Sequence, residues 1–96
     1  MNAEQTISLI SSRMPELRQK FGVRTLGVFG STVRGAARDN SDVDVLVDFE
    51  GPRNSANYFG LQFELEDLLG RDVDLVTTQA LRAELRPRIE AELVSV

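Results

Sequence analysis

Residues 30–44 read GSTVRGAARDNSDVD, and the fold can be worked out in both directions from this stretch. Gly30 and Ser31 open a turn of small residues, and Asp42 and Asp44 stand two apart with a valine between them. Upstream, VRTLGVF at 23–29 is rich in branched and aromatic residues, which predicts a strand running into the turn. A short helix is expected from the turn up to about Gly35, then a polar loop to Ser41. Downstream, 42–49 alternates strictly. Val43, Val45, Val47 and Phe49 share one face, while Asp42, Asp44, Leu46 and Asp48 share the other. This predicts a second strand, buried on its valine face.

Further out, Ile7, Ile10, Met14, Leu17 and Phe21 recur at steps of three and four, the stripe of an amphipathic helix. Pro15 is expected to divide that helix, and Gly22 to stop it. Tyr58, Leu61, Leu65, Leu68 and Leu69 mark a helix over 58–69, and 71–76 reads as a third strand. A last helix is expected from about Thr78, with Leu81, Leu85, Ile89 and Leu93 on one face and a kink at Pro87. The order predicts an α/β (α+β) fold: a small mixed sheet with helices mainly on one face and the aspartates on an open opposite face. The 96 residues suit one domain, 1–96.

Composition narrows the chemistry. The chain has no cysteine and no histidine, so disulfides, imidazole catalysis and sulfur or nitrogen metal sites are excluded. Any metal must be held by oxygen, which favours magnesium, manganese or calcium. The formal net charge is −4. Gripping a polynucleotide normally takes a basic surface, so direct polynucleotide binding is not expected. No apolar run approaches the roughly 20 residues of a membrane span, and no signal peptide is legible. No membrane association and a cytoplasmic location are therefore expected.

The turn and the strand each carry a chemical meaning. A Gly–Ser turn offers backbone N–H groups and a hydroxyl to an anion, and Gly30 allows close approach. Equally, it is ordinary capping chemistry. Asp42 and Asp44 sit about 7 Å apart along one strand face, near enough to share a cation, although the same pattern also suits a solvated face. Asp74, in RDVDLV, can bring a third carboxylate alongside, with Asp72 as its competitor on the same face. Clustering has a cost. Two like charges about 4 Å apart repel by roughly 4 kcal/mol at an effective dielectric of 20. A bound divalent ion reverses that sign. Arg34 and Arg38 follow the turn, and Arg34, the nearer, is the candidate phosphate contact. Tyr58 and Phe59 are the adjacent aromatics, better explained by core packing than by stacking on a base.

These residues resemble the minimal nucleotidyltransferases of the DNA polymerase beta superfamily. Their pattern is Gly–Ser, ten residues, Asp–x–Asp and a later aspartate on a third strand. Here Thr32 to Ser41 supplies the ten residues between Gly30–Ser31 and Asp42–Val43–Asp44. The stretch GSTVRGAARDNSDVDVLVDF is especially similar to the antitoxin-type partners of HEPN-domain toxins. The resemblance implies a palm-like nucleotidyltransferase core. It implies Asp42, Asp44 and Asp74 as catalytic metal ligands, and Gly30, Ser31 and Arg34 on the nucleotide. It further implies ATP as substrate, two Mg2+ ions, and transfer of AMP to a tyrosine of a HEPN-domain ribonuclease toxin, with which the chain would form a hetero-oligomer or else self-associate. Two other functions are open on sequence grounds: neutralisation of the toxin by stoichiometric binding, and nucleotidyl transfer to a small molecule.

Overall fold

The computed structural model describes residues 2–35, 41–51 and 54–96. The chain runs α1 (Ala3–Phe21), β1 (Val23–Phe29), α2 (Ser31–Arg34), β2 (Val43–Phe49), α3 (Ser55–Leu69), β3 (Val73–Thr77), α4 (Arg86–Glu92) and β4 (Val94–Ser95). The sheet order is β3-β2-β1-β4. β1 is antiparallel to both β2 and β4, and β2 is parallel to β3. This is the mixed α/β architecture expected. No helix among the described residues is long and apolar enough to cross a membrane.

α1 starts at a reciprocal cap. The Asn2 side chain accepts from the Gln5 N–H at 2.8 Å, and the Gln5 side chain accepts from the Asn2 N–H at 3.0 Å. The helix is continuous through Pro15, so the expected break does not occur. Proline removes one rung, to the carbonyl of Ser11, but Ser11 and Pro15 both lie on the exposed side where water can serve that carbonyl. The opposite side buries Ile10, Met14 and Leu17 against the sheet and holds the helix together across the missing bond. Gly22, at φ 69°, ends it and returns its N–H to the Arg18 carbonyl.

The sheet divides its work between two faces. Val28, Val45 and Leu75 lie on the face covered by α1 and α3, with Leu61 and Leu65 fully buried above them. The other face is not open throughout. Phe29 and Leu46 are buried there beneath Leu81, with Val76, Ile89 and Leu93 packed around them. The expected helix from Thr78 is mostly turn: α4 spans only Arg86–Glu92, and Pro87 sits in its first turn, where a missing N–H costs nothing. Leu81 is buried while Leu85 is exposed, so the four-residue spacing never formed one stripe. The chain then closes with β4, an element not expected, whose Val94 and Ser95 pair with Val28 and Gly27. Gly27 leaves room for this return, since a Cβ there would meet Leu93 Cδ1 at 2.6 Å.

β3 is an edge strand, and α3 covers its free edge. One residue per turn of α3 takes part. Tyr58 donates its hydroxyl to the Leu75 carbonyl, Gln62 donates to the Val73 carbonyl at 3.0 Å, and Glu66 accepts from the Val73 N–H at 2.9 Å. These bonds satisfy backbone groups that an edge strand would otherwise offer to another chain, and they bracket Asp74. Tyr58→Phe removes the donor to the Leu75 carbonyl and is expected to lower unfolding free energy by about 1–2 kcal/mol in a urea titration. An unchanged midpoint would mean that water replaces the phenol without loss.

Candidate active site

The register of three strands assembles the site. Asp44 is the Cα partner of Phe29 on one side and of Asp74 on the other. Directly opposed residues point to the same face, so Asp44 and Asp74 stand side by side. Gly30 follows Phe29 with φ 77° and ψ −149°, a backbone that L side chains avoid. A Cβ at Gly30 would lie 2.1 Å from Oδ2 of Asp44. The Asp44 carboxylate thus rests against the bare Cα of the turn, and Gly30 is needed twice, for conformation and for space.

Burial pushes the Asp44 carboxyl up to about 6, and the charges of Asp74 and Asp42 and a hydrogen bond with Asp74 push the same way. Arg34 pulls in the opposite direction without compensating. Burial and then the charge of Asp74 also raise the Tyr58 hydroxyl. Asp42 stands just before β2, exposed, and acts on Asp44 through space. The expected gathering of three carboxylates is therefore a pair with a third at its margin. Among the described residues, no three acidic side chains are grouped to hold an ion. The register pairs Asp44 with Asp74, whereas Asp42 precedes the first residue of β2 and stays in water. The donor set nonetheless fits a hard divalent cation, being all oxygen and carrying charge that burial makes costly.

The other candidates fall as follows. Asp72 is exposed and enters the sheet through its backbone, its carbonyl accepting from the Val43 N–H at 2.9 Å. Asp48 shares the face of Asp44 but is held by Arg24 at 3.6 Å and by the Thr78 hydroxyl at 3.2 Å. Ser31 is the first residue of α2 and is half-buried. Arg34 ends α2 and pairs with Glu92 at 3.0 Å. Arg38 lies outside the described residues. Tyr58 and Phe59 meet edge to face at 5.2 Å between centroids. Tyr58 packs on the core, as expected of it, while Phe59 is exposed. Both line a cleft of about 780 Å³ with Phe49, Leu75 and Thr77. That cleft lies toward the far ends of β2 and β3, and neither Asp44 nor Asp74 lines it.

Sequence reasoning missed Glu92. Its Oε1 accepts from the Gly30 N–H at 2.9 Å and from Arg34 Nη1 at 3.2 Å, and its Oε2 accepts from the same Nη1 at 3.0 Å. The bond from Arg34 and that from Gly30 hold its carboxyl below the usual range. Glu92 lies 62 positions from Gly30, in a segment read as plain amphipathic helix, so no local pattern could reveal it.

Residues 13–96 match the family model described as the nucleotidyltransferase domain. The chain belongs to the nucleotidyltransferase domain family. Among its nucleotidyltransferase relatives is the protein adenylyltransferase MntA of Thermococcus cleftensis, 43% identical over 100% of this chain and 97% of that protein. A solved minimal nucleotidyltransferase superposes with a TM-score of 0.79 at 36% identity, covering 100% of this chain and 97% of the other. The fold is also that of an MNT antitoxin in complex with the tri-AMPylated HEPN toxin of Shewanella oneidensis, with a TM-score of 0.67 at 17% identity over 96% of this chain and 69% of that one.

Two outcomes follow from the geometry. Gly30→Ala places a methyl on the Asp44 carboxylate at a positive φ, and a urea titration should show a loss of about 1–3 kcal/mol. Wild-type stability would contradict the contact. The raised Asp44 carboxyl also fixes a sign. Its folded value of about 6 exceeds its ordinary 3.8, so protonation favours the folded state. This contribution is fully present below the ordinary value and is lost as pH rises through about 6. Thermal melts in a chelator should show the protein gaining stability between pH 7 and 5, and Asp44→Asn should lose that part of the gain.

Proposed function

We propose that this nucleotidyltransferase is an antitoxin that transfers AMP from ATP to a tyrosine hydroxyl of a HEPN-domain toxin, with Mg2+ as cofactor. The observation that carries the reading is the Asp44–Asp74 pair set against the Gly30–Ser31 turn. The kinship with a protein adenylyltransferase over the full chain supports the reaction class. The shared fold with an antitoxin found beside an AMPylated HEPN toxin supports the partner.

On this reading the residues take the following roles. The turn at Gly30–Ser31 and Arg34 hold the triphosphate on the β1 side of the face. Asp74 lies on the outer strand and is exposed, so a bulky protein acceptor can reach it. The acceptor oxygen attacks the α-phosphorus, Asp74 takes its proton, and the bond to the β-phosphate oxygen breaks to release pyrophosphate. Asp42, Asp44 and Asp74 would hold magnesium, which supplies neutralisation of the phosphate charge. Asp42 then has only to swing from solvent toward the pair. Catalysis on this reading is mostly positioning and charge compensation.

Intact-mass measurement of the HEPN partner, incubated with this protein, ATP and Mg2+, is expected to show additions of one AMP each. The Asp42→Asn, Asp44→Asn double variant should fold, bind the partner and add none. An unmodified partner with the wild-type protein would overturn the reading. Protection of cells by the double variant at matched expression would instead favour neutralisation by binding alone.

A further inference from the structure

We infer that Glu92 is a positioning residue of the nucleotide site, anchoring the turn at Gly30 and the Arg34 guanidinium in the arrangement that receives the triphosphate. This rests on the nucleotidyl-transfer reading above and adds the C-terminal segment to its machinery.

Three features place Glu92 firmly. Leu93 is seated over Gly27, Val94 and Ser95 are paired to β1, and Ile89 belongs to the small core with Phe29 and Leu46. Glu92 therefore reaches the turn from a fixed base. Its carboxylate then makes contacts of two kinds. One oxygen takes the Gly30 N–H, which fixes the orientation of the peptide entering the turn. Both oxygens take Arg34 Nη1, while Nη2 and Nε of Arg34 make no hydrogen bond among the described residues. Glu92 thus takes only Nη1, and the other donors of Arg34 are assigned here to the phosphate. An arginine on a helix of only four residues has little else to order it. A charged hydrogen bond made beforehand removes the ordering cost from the binding step.

The opposite role has a clear signature. A carboxylate on a turn N–H and a guanidinium also occupies positions that a phosphate would take. If Glu92 merely fills the phosphate's place, its removal tightens binding. If it positions, removal weakens binding.

Calorimetric titration with MgATP separates the two. Glu92→Ala is expected to weaken MgATP binding about tenfold and Glu92→Gln, which keeps an acceptor for Gly30, about threefold. Arg34→Ala should match Glu92→Ala, and the double variant should be no weaker than either, since the two act as a unit. In AMP transfer the loss should appear in KM for ATP and leave kcat unchanged at saturation. Ile10→Val, a mild loss in the α1 core, serves as a stability control and should bind MgATP like the wild type. Should Glu92→Ala fail to fold, Glu92→Gln carries the test. Binding by either variant as tight as wild type, or tighter, overturns the inference alone. A folded wild-type protein that binds no MgATP overturns the transfer reading and this inference with it.

Discussion

The Asp44 carboxylate lies against a glycine that has no side chain to keep it away, and the rest of the site depends on that contact. It joins the end of β1 to the start of β2 at one point. The neighbouring strand then adds Asp74 at the same level. None of this survives a slip of one residue, because strand side chains alternate. A slip would turn Asp44 into the core and Val43 or Val45 out. The three valines of β2 are all nearly inaccessible to solvent. Their burial therefore fixes the register that brings the carboxylates together. The hydrophobic face and the chemical face of the sheet are one decision, taken by alternation.

That coupling explains what could be read in advance. β1 was legible from composition at both ends, and β2 from its alternation. The aspartates stood out because they alternate with Val43, Val45, Val47 and Phe49, a pattern that also suits a solvated strand face and that gained chemical meaning only beside the Gly30–Ser31 turn. The misreadings have causes of equal clarity. Leu81, Leu85, Ile89 and Leu93 step by four residues, as a helix does, yet Leu81 is claimed by Phe29 and Leu46 across the sheet. Tertiary packing overrode periodicity. Pro15 was expected to break α1, but its side of the helix faces water. Asp42 was assigned to the strand face, whereas the strand begins one residue later. Glu92 carried no signal at all, because its meaning arises only when β4 folds back beside β1.

The division of labour across the molecule is economical. α1 and α3 cover one face and supply the main core. α3 also serves the free edge of β3 through Tyr58, Gln62 and Glu66, holding the strand on both sides of Asp74. The C-terminal segment does the corresponding work on the other side, through Glu92. The proposed acceptor side and the proposed nucleotide side are thus each braced by an element outside the motif. The acidic cluster between them sets negative charge around the partly buried Asp44 carboxylate, and a divalent ion held there would offset that charge.

The proposed metal centre can be located without any turnover. Substoichiometric Mn2+ broadens the amide resonances of nearby residues in proportion to the inverse sixth power of distance. Resonances of Gly30, Ser31, Asp42, Asp44 and Asp74 are predicted to broaden first, while those of Phe59, Phe63 and the first turns of α1 stay sharp. Broadening centred on Glu64, Glu66 and Asp67 of α3, or spread evenly over the acidic surface, would contradict a metal centre at the Asp44–Asp74 pair.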